Sequence, residues 1–186
     1  MNLSAQQFRQ KNLVEIVRSA LHAARLEPQY LELELTESAV MDDAEESISI
    51  LQQLSRIGVR ISVDDFGTGY SSLSYLRRLP LDKLKIDRAF IREVVTSRDD
   101  AEIVRAIVSL AHALRLQVIA EGVETPDQLE FLQSLGCDQY QGFHYSAPIP
   151  SNAFVAMMRE HQAEAFVPSR TPSLEDTWVK RVLRRV

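Results

Sequence analysis

The sequence predicts an α/β fold in which short parallel strands alternate with helices, and three observations support this. Short runs with alternating apolar and polar residues recur, most clearly at 30–36, 60–66, 82–87 and 117–122, with weaker candidates at 1–4 and 139–143. Longer stretches of helical periodicity separate them, at 6–24, 43–56, 100–114 and 126–134. Glycine, proline and polar residues mark the ends of these stretches. Strands and helices that alternate in this way are typical of βα units with a parallel sheet.

The helix ends carry specific signals. Gly58 and Gly136 follow two of the helical stretches, at positions where a left-handed residue ends a helix. Thr125, Pro126 and Gln128 read as an N-cap, a proline in the first turn and a capping-box glutamine, so the fourth helix is predicted to begin at residue 126.

The predicted strands have one apolar face and one ionisable face. In the strand at 30–36, leucines alternate with Glu32, Glu34 and Thr36, and the strand at 82–87 repeats the pattern. A doubly wound sheet buries both faces and reads as continuous valine, isoleucine and leucine. Strands that point polar groups inward near one rim favour a TIM-type (β/α) barrel, which has eight strands. This chain supplies about six, so we expect an incomplete barrel.

Polar residues stand at the ends of the predicted strands, where the active sites of such barrels lie. They are Asn2, Glu34, Asp64, Asp65, Lys85, Glu121 and Gln141. Their amide and carboxylate oxygens are hard ligands that suit Mg²⁺ or Mn²⁺. Adjacent aspartates suit a pair of ions, which catalyse displacement at phosphorus. Lys85 is expected either to orient the attacking water or to offset charge developing on the phosphate.

Bulk properties exclude several classes of protein. The 186 residues carry a net charge of -5, which argues against binding to a nucleic-acid polymer. Cys137 is the only cysteine, so a disulfide framework and a thiolate zinc site are excluded. The polar N-terminus and the lack of a membrane-length apolar run predict a cytoplasmic location, either free or as the cytoplasmic part of a membrane-bound sensor.

Six segments together resemble the EAL-domain family, the bacterial phosphodiesterases that cut cyclic di-GMP to the linear dinucleotide pGpG. The segments are NLSAQQF, ELELTES, DDFGTGYSSLSYL, LPLDKLKID, VIAEGVET and QGFHYSAPIP, which occur in the family's order and cover roughly residues 1–159. The resemblance implies a cyclic di-GMP phosphodiesterase domain of a signalling protein, dependent on two Mg²⁺ or Mn²⁺ ions.

The resemblance also implies roles for the strand-end residues. Asn2, Glu34 and Asp64 match ligands of a first metal, and Asp64 would bridge to a second ion that Asp65 also binds. Glu121 matches a glutamate that either completes the second metal site or acts as the base. Lys85 would stand beside the hydrolytic water. Gln141, together with Asp65, would contact the substrate.

A second group of residues is implied to support a loop and a dimer contact. Glu37 resembles the glutamate that holds the glycine-rich loop from Phe66 to Ser72, which includes Gly67, Thr68 and Gly69. In the family this loop links dimerisation to the metal site, so a homodimer through the loop after Asp65 is expected. Glu124 is expected to have a supporting role.

The sequence departs from the family because the Glu-Ala-Leu signature and its nearby arginine do not occur in it. They belong upstream of residue 1, which implies an N-terminal truncation and the loss of one metal ligand. We therefore expect weak or no turnover by these 186 residues alone. The alternative is a catalytically inactive module that binds cyclic di-GMP or serves dimerisation.

Residues 1–162 are predicted to form the partial barrel, and 163–186 a linker followed by a short basic amphipathic helix. Membrane contact is expected only through this tail or through segments upstream of residue 1.

Overall fold

The computed structural model describes residues 1–69 and 73–164, and its centre is a parallel five-stranded sheet. The strands are β1 (Glu32–Thr36), β2 (Arg60–Phe66), β3 (Lys83–Ile86), β4 (Gln117–Glu121) and β5 (Gln139–Gln141), and they pair in that order. Each neighbouring pair is parallel. The sheet is not closed within the described residues, so the predicted α/β fold of an incomplete barrel is confirmed.

The described residues also form helices. They are α1 (Ala5–Phe8), α2 (Leu13–Ala24), α3 (Glu37–Met41), α4 (Ala44–Ile57), α5 (Leu73–Leu76), α6 (Arg88–Arg92), α7 (Arg98–Ala113), α8 (Pro126–Ser134) and α9 (Ser151–Glu164). A 3₁₀ turn at Pro28–Tyr30 precedes β1. The chain divides into two compact units, Met1–His144 and Tyr145–Val186, and the sheet belongs to the first.

The predicted helix ends are confirmed. Gly58 ends α4 with φ 101°, a left-handed conformation that glycine adopts without a steric cost. Gly136 has φ 74° directly after the C-cap of α8. At the start of α8, Thr125 and Gln128 form the reciprocal capping box, with Pro126 in the first turn.

Two expectations for the N-terminal region are wrong. The single helix predicted at 6–24 is two helices, because the polar run from Arg9 to Asn12 forms a turn in which the Leu13 N–H donates to the Gln10 carbonyl. The strand predicted at 1–4 is reduced to an isolated parallel bridge between Asn2 and Glu34. The weak prediction at 139–143 holds only for Gln139–Gln141.

The two faces of the strands differ as the alternation predicts. Leu33 and Leu35 of β1 are fully buried on the side that the helices cover, and the same holds for Ile61 and Val63 of β2. Burying each of these aliphatic side chains contributes about 1.5–3 kcal/mol. The opposite face carries the ionisable side chains, so the apolar packing of the sheet holds those polar groups at fixed positions.

Residues 165–186 lie outside the described residues, and so do the predicted linker and basic helix within them. The proposed division of the chain after residue 162 stays a prediction. Among the described helices, none combines the length and hydropathy that a membrane crossing requires.

Candidate active site at the carboxyl rim of the sheet

A bulge in β2 places two consecutive carboxylates against one lysine. Val63 pairs with Leu84 and Phe66 pairs with Ile86, so Asp64 and Asp65 together face the one intervening residue of β3. Asp65 has φ 54° and donates its backbone N–H to Asp64 Oδ1 at 3.0 Å. A regular strand would send adjacent side chains to opposite faces. The bulge and the left-handed conformation of Asp65 change the direction of the chain at the rim.

Lys85 lies at the centre of the site. Its Nζ is 2.6 Å from Glu34 Oε2, 3.1 Å from Asp64 Oδ2 and 2.7 Å from Glu121 Oε1. Only 7% of the side chain is exposed. The ammonium therefore bridges carboxylates from three different strands, which holds the ends of β1, β2 and β4 together through charge-assisted hydrogen bonds.

Three carboxylates form a group that fits a metal ion. Asp64, Asp65 and Glu121 each offer one oxygen, and the three oxygens lie within 4.8 Å of one another. All three side chains are partly buried. A convergent set of hard oxygen donors is what Mg²⁺ and Mn²⁺ prefer, so the chemistry of the donor set fits the predicted cofactor.

The charges of the site perturb one another. Burial raises the pKa of Asp65 to about 6, and a hydrogen bond with Asp87 and the charges of Asp64, Asp87 and Glu121 act in the same direction. Burial also raises the pKa of Glu121, and this outweighs the lowering effect of Lys85. Carboxylates that converge without a cation repel one another, and a divalent ion would remove that cost.

The pKa values of Lys85 and Glu34 shift in the directions expected of a strong ion pair. Burial raises the pKa of Glu34, but the hydrogen bond and charge of Lys85 hold it below its usual range. Burial by itself lowers the pKa of Lys85, but hydrogen bonds to Glu121 and Glu34 raise it above its usual range. Lys85 is therefore a permanent cation at neutral pH and cannot act as a general base.

Asn2 and Gln141 occupy the two sides of this rim. Asn2 pairs with Glu34 through the isolated parallel bridge, and its side chain is exposed. Gln141 pairs with Glu121 in the register of β4 and β5 and is also exposed. The predicted ligand and the predicted substrate contact thus border the carboxylate group, each as the register neighbour of a carboxylate.

Glu37, in the first turn of α3, supports the loop that follows β2. Its side chain is buried, and Oε2 accepts a hydrogen bond from the Gly67 N–H at 2.9 Å. A side chain at Gly69 would meet Glu37 Oε1 at 2.9 Å, so this carboxylate also packs against the second glycine. The Thr68 hydroxyl donates to the Asp65 carbonyl at 2.8 Å. Tyr70, Ser71 and Ser72 of the predicted loop lie outside the described residues.

Asp87 is a site residue that the sequence reasoning did not single out. It shares a hydrogen bond with Asp65, and its Oδ1 also accepts the Ala89 N–H at the start of α6. The available signal was its position two residues after Lys85, on the same strand face. Glu124 has an exposed side chain, and its backbone N–H donates to Gln128 Oε1 at 2.8 Å.

Together these observations define a (β/α)-barrel domain whose acidic side chains converge at the carboxyl ends of the strands. The chain belongs to the EAL domain family, whose model matches residues 1–148. The bifunctional diguanylate cyclase/cyclic di-GMP phosphodiesterase MucR of Pseudomonas aeruginosa is 56% identical over 156 residues, which are 84% of this chain and 23% of that protein. The cyclic di-GMP phosphodiesterase NbdA of the same organism is 47% identical over 92% of this chain and 22% of its own length. The chain thus spans about a quarter of these relatives.

Solved structures agree with this assignment. The cyclic di-GMP complex of the P. aeruginosa MucR phosphodiesterase matches with a TM-score of 0.81 and 56% identity, over 82% of this chain and 62% of that one. A manganese and cyclic di-GMP complex of BlrP1 from Klebsiella pneumoniae matches with a TM-score of 0.72 and 35% identity, over 79% of this chain and 38% of that one. The resemblance to the EAL-domain family is confirmed.

Proposed function

We propose that this domain hydrolyses cyclic di-GMP to linear pGpG with two bound Mg²⁺ or Mn²⁺ ions. The observation that carries the proposal is the convergence of the Asp64, Asp65 and Glu121 oxygens within 4.8 Å, beside a buried lysine that contacts Asp64 and Glu121. Relatives named as cyclic di-GMP phosphodiesterases support the substrate. A neighbour's manganese complex supports the type of ion.

The metal-binding role is assigned to five side chains of the rim. Asp64, Asp65 and Glu121 would hold the ions, joined by Glu34 and Asn2 on the β1 side. When bound, such ions supply Lewis-acid charge for an in-line displacement at phosphorus. Glu121 is either a ligand or the base that accepts the proton of the attacking water.

The reaction adds one water to one of the two phosphodiester bonds. The water oxygen bonds to phosphorus, the bond from phosphorus to the 3′ oxygen breaks, and that oxygen takes up a proton. Lys85 is suited to stabilise charge on the phosphoryl oxygens, because it stays protonated and is held within 3.1 Å of three carboxylates. Gln141 would contact the substrate from the β5 side, with Asp65 opposite.

The experiment is a hydrolysis assay with protein expressed from the complete reading frame. Cyclic di-GMP is incubated with Mn²⁺, with Mg²⁺ or with a chelator, and pGpG is quantified by chromatography. We expect metal-dependent formation of pGpG, and Asp64→Asn to abolish it. Binding of cyclic di-GMP by calorimetry without turnover would overturn the enzymatic proposal and favour the inactive binding module.

We also propose that the loop after Asp65 contributes to a homodimer contact. The support is the anchoring of Gly67 and Gly69 on the buried Glu37 carboxylate, which connects the loop to the base of α3. Sedimentation equilibrium of the wild type and of Thr68→Glu tests this. A monomer–dimer equilibrium that the charged variant leaves unchanged would refute it.

A further inference from the structure

The inner face of the sheet carries a second ion pair below the proposed metal site. Lys83 Nζ lies 2.6 Å from Glu32 Oε2, with 10% of the lysine and 24% of the glutamate side chain exposed. Lys83 and Glu32 each lie two residues before Lys85 and Glu34 on the same strands. Both lysines of β3 thus reach a glutamate of β1 across the intervening β2, one pair above the other.

The lower pair depends on a small side chain in β2. Ser62 pairs with Glu34 on one side and with Lys83 on the other, so it lies on the path between β1 and β3. Neighbouring strands are about 4.8 Å apart, which places β1 and β3 roughly 10 Å apart. Ser62 is fully buried, and its hydroxyl has no hydrogen-bond partner among the described residues. What the position supplies is therefore its small volume, which lets Lys83 pass.

The two pairs have alternative partners within reach. Lys83 lies in the same row as Glu34, yet it contacts Glu32. Without Lys83, the cations nearest to Glu32 are Arg60, its register partner on β2, and Lys85, the other lysine of β3. Without Glu32, Lys83 would turn to Glu34. A buried charged side chain that loses its partner is expected to move toward another oppositely charged group, because an unpaired buried charge costs free energy.

We propose that Glu32 and Lys83 are positioning residues, which keep Lys85 and Glu34 available to the catalytic carboxylates and the metal ions. The proposal rests on the proposed function. Lys83→Met would let Glu32 draw Lys85 away from Asp64 and Glu121, and Glu32→Gln would let Lys83 occupy Glu34. The two single substitutions therefore disturb the metal site in opposite senses, and the double substitution removes both competitors.

The test is a double-mutant cycle in the full chain, with Mn²⁺ affinity measured by titration calorimetry and with kcat measured on cyclic di-GMP. Lys83→Met is expected to raise Mn²⁺ affinity about tenfold, because a cation leaves the carboxylates, and to lower kcat by a similar factor. Glu32→Gln is expected to lower both about tenfold. The double variant is expected to return to within about threefold of the wild type in both quantities.

Substitutions at Ser62 test the same idea without changing a charge. Ser62→Ala keeps the crossing open and serves as the matched control, with wild-type kcat and affinity expected. Ser62→Val fills the path between Glu32 and Lys83 and is expected to lower kcat about tenfold.

Several results would overturn the proposal. One is a shift of Mn²⁺ affinity in the same direction for both single variants. Another is a double variant whose kcat is lower than that of either single variant. A third is an equal kcat for Ser62→Val and Ser62→Ala. A wild type that neither binds Mn²⁺ nor cuts cyclic di-GMP overturns the proposed function and this inference with it. A wild type that does both, alongside single variants that do not differ from it, overturns this inference alone.

Discussion

Lys85 sets the electrostatics of the site, because one buried ammonium contacts Glu34, Asp64 and Glu121. Each of the three carboxylates comes from a different strand, so the lysine both joins the strands and offsets their converging negative charge. A divalent ion bound to the same group would share the carboxylates with it. The lysine and the ions are thus expected to work together on the phosphoryl oxygens.

Lys85→Met is expected to lower kcat by about 10²–10³, because a preorganised charge-assisted donor is lost from the transition state. The measurement is the initial rate of pGpG formation at saturating cyclic di-GMP. Lys11→Met, at an exposed lysine of the chain, is the control and should keep wild-type activity. A Lys85→Met variant with wild-type kcat would contradict the role given to this residue.

The raised pKa of Asp65, about 6 against the usual 3.8, predicts a pH dependence of metal binding. Below pH 6 the metal-free site holds a proton on this carboxyl, and a metal ion has to displace it. Mn²⁺ affinity measured by calorimetry is therefore expected to fall as the pH drops from 7 to 5, with proton release in the same range.

The stability of the metal-free protein is expected to change with pH in the opposite direction from the Mn²⁺ affinity. Because the folded pKa of Asp65 lies above its unfolded value, this group's contribution is present at low pH and is lost as the pH rises through about 6. Asp65→Asn should remove both effects. An unchanged pH profile in this variant would assign the proton to another carboxyl.

At the scale of elements, the ends of β4 and β5 are joined by a very close backbone approach. Val123 donates its N–H to the Gln141 carbonyl at 3.1 Å and accepts the His144 N–H at 3.0 Å. A side-chain carbon at Gly142 would lie 2.0 Å from the Val123 carbonyl oxygen. This contact places Gln141 beside the strand that carries Glu121.

Gly142→Ala is therefore expected to lower the free energy of unfolding by at least about 3 kcal/mol, since the added carbon forces the backbone at Gly142 away from the backbone at Val123. Gly136→Ala is a matched control, because its φ is 74° and no atom lies within 4 Å of the added carbon. That variant should lose only about 1–2 kcal/mol, the strain of a left-handed alanine. Denaturant titration measures both, and equal losses would contradict the argument.

The elements that the sequence predicted are those with a full signal of periodicity or capping. The strands β1 to β4 and the caps of α4 and α8 could be predicted, because each signal spans several residues of defined chemistry. The four- and five-residue helices α3, α5 and α6 were not predicted, because fewer than two turns show no period, and α1 was merged with α2 into the single helix predicted at 6–24. Because α6 was not predicted, Asp87 was not recognised as its N-cap.

The site was predictable in composition and only partly in geometry. Parallel strands bring their carboxyl ends to one edge, so the strand-end residues had to be neighbours. That Lys85 would engage three carboxylates at once depends on the strand stagger and on the bulge between Val63 and Phe66. Sequence spacing alone does not specify either.

At the scale of the whole molecule, divalent ions are expected to stabilise the fold. The ions would bind carboxylates from β2 and β4, which unfolding separates. At a Mn²⁺ concentration 100 times the dissociation constant, linkage gives about 2.7 kcal/mol, or roughly 5–10 °C in Tm. Thermal melting with Mn²⁺ and with a chelator measures this. The Asp64→Asn, Glu121→Gln double variant should show no shift, and an equal shift would place the ions elsewhere.

The left-handed backbone at Asp65 restricts how position 65 can vary. Glycine, asparagine and aspartate adopt such a conformation at the lowest cost, whereas glutamate, although it keeps the charge, costs about 1–2 kcal/mol there. A saturation library selected for folding alone should therefore recover chiefly these three residue types. A library selected for turnover should retain aspartate only, so comparing the two would separate the demands of the backbone from those of the chemistry at a single codon.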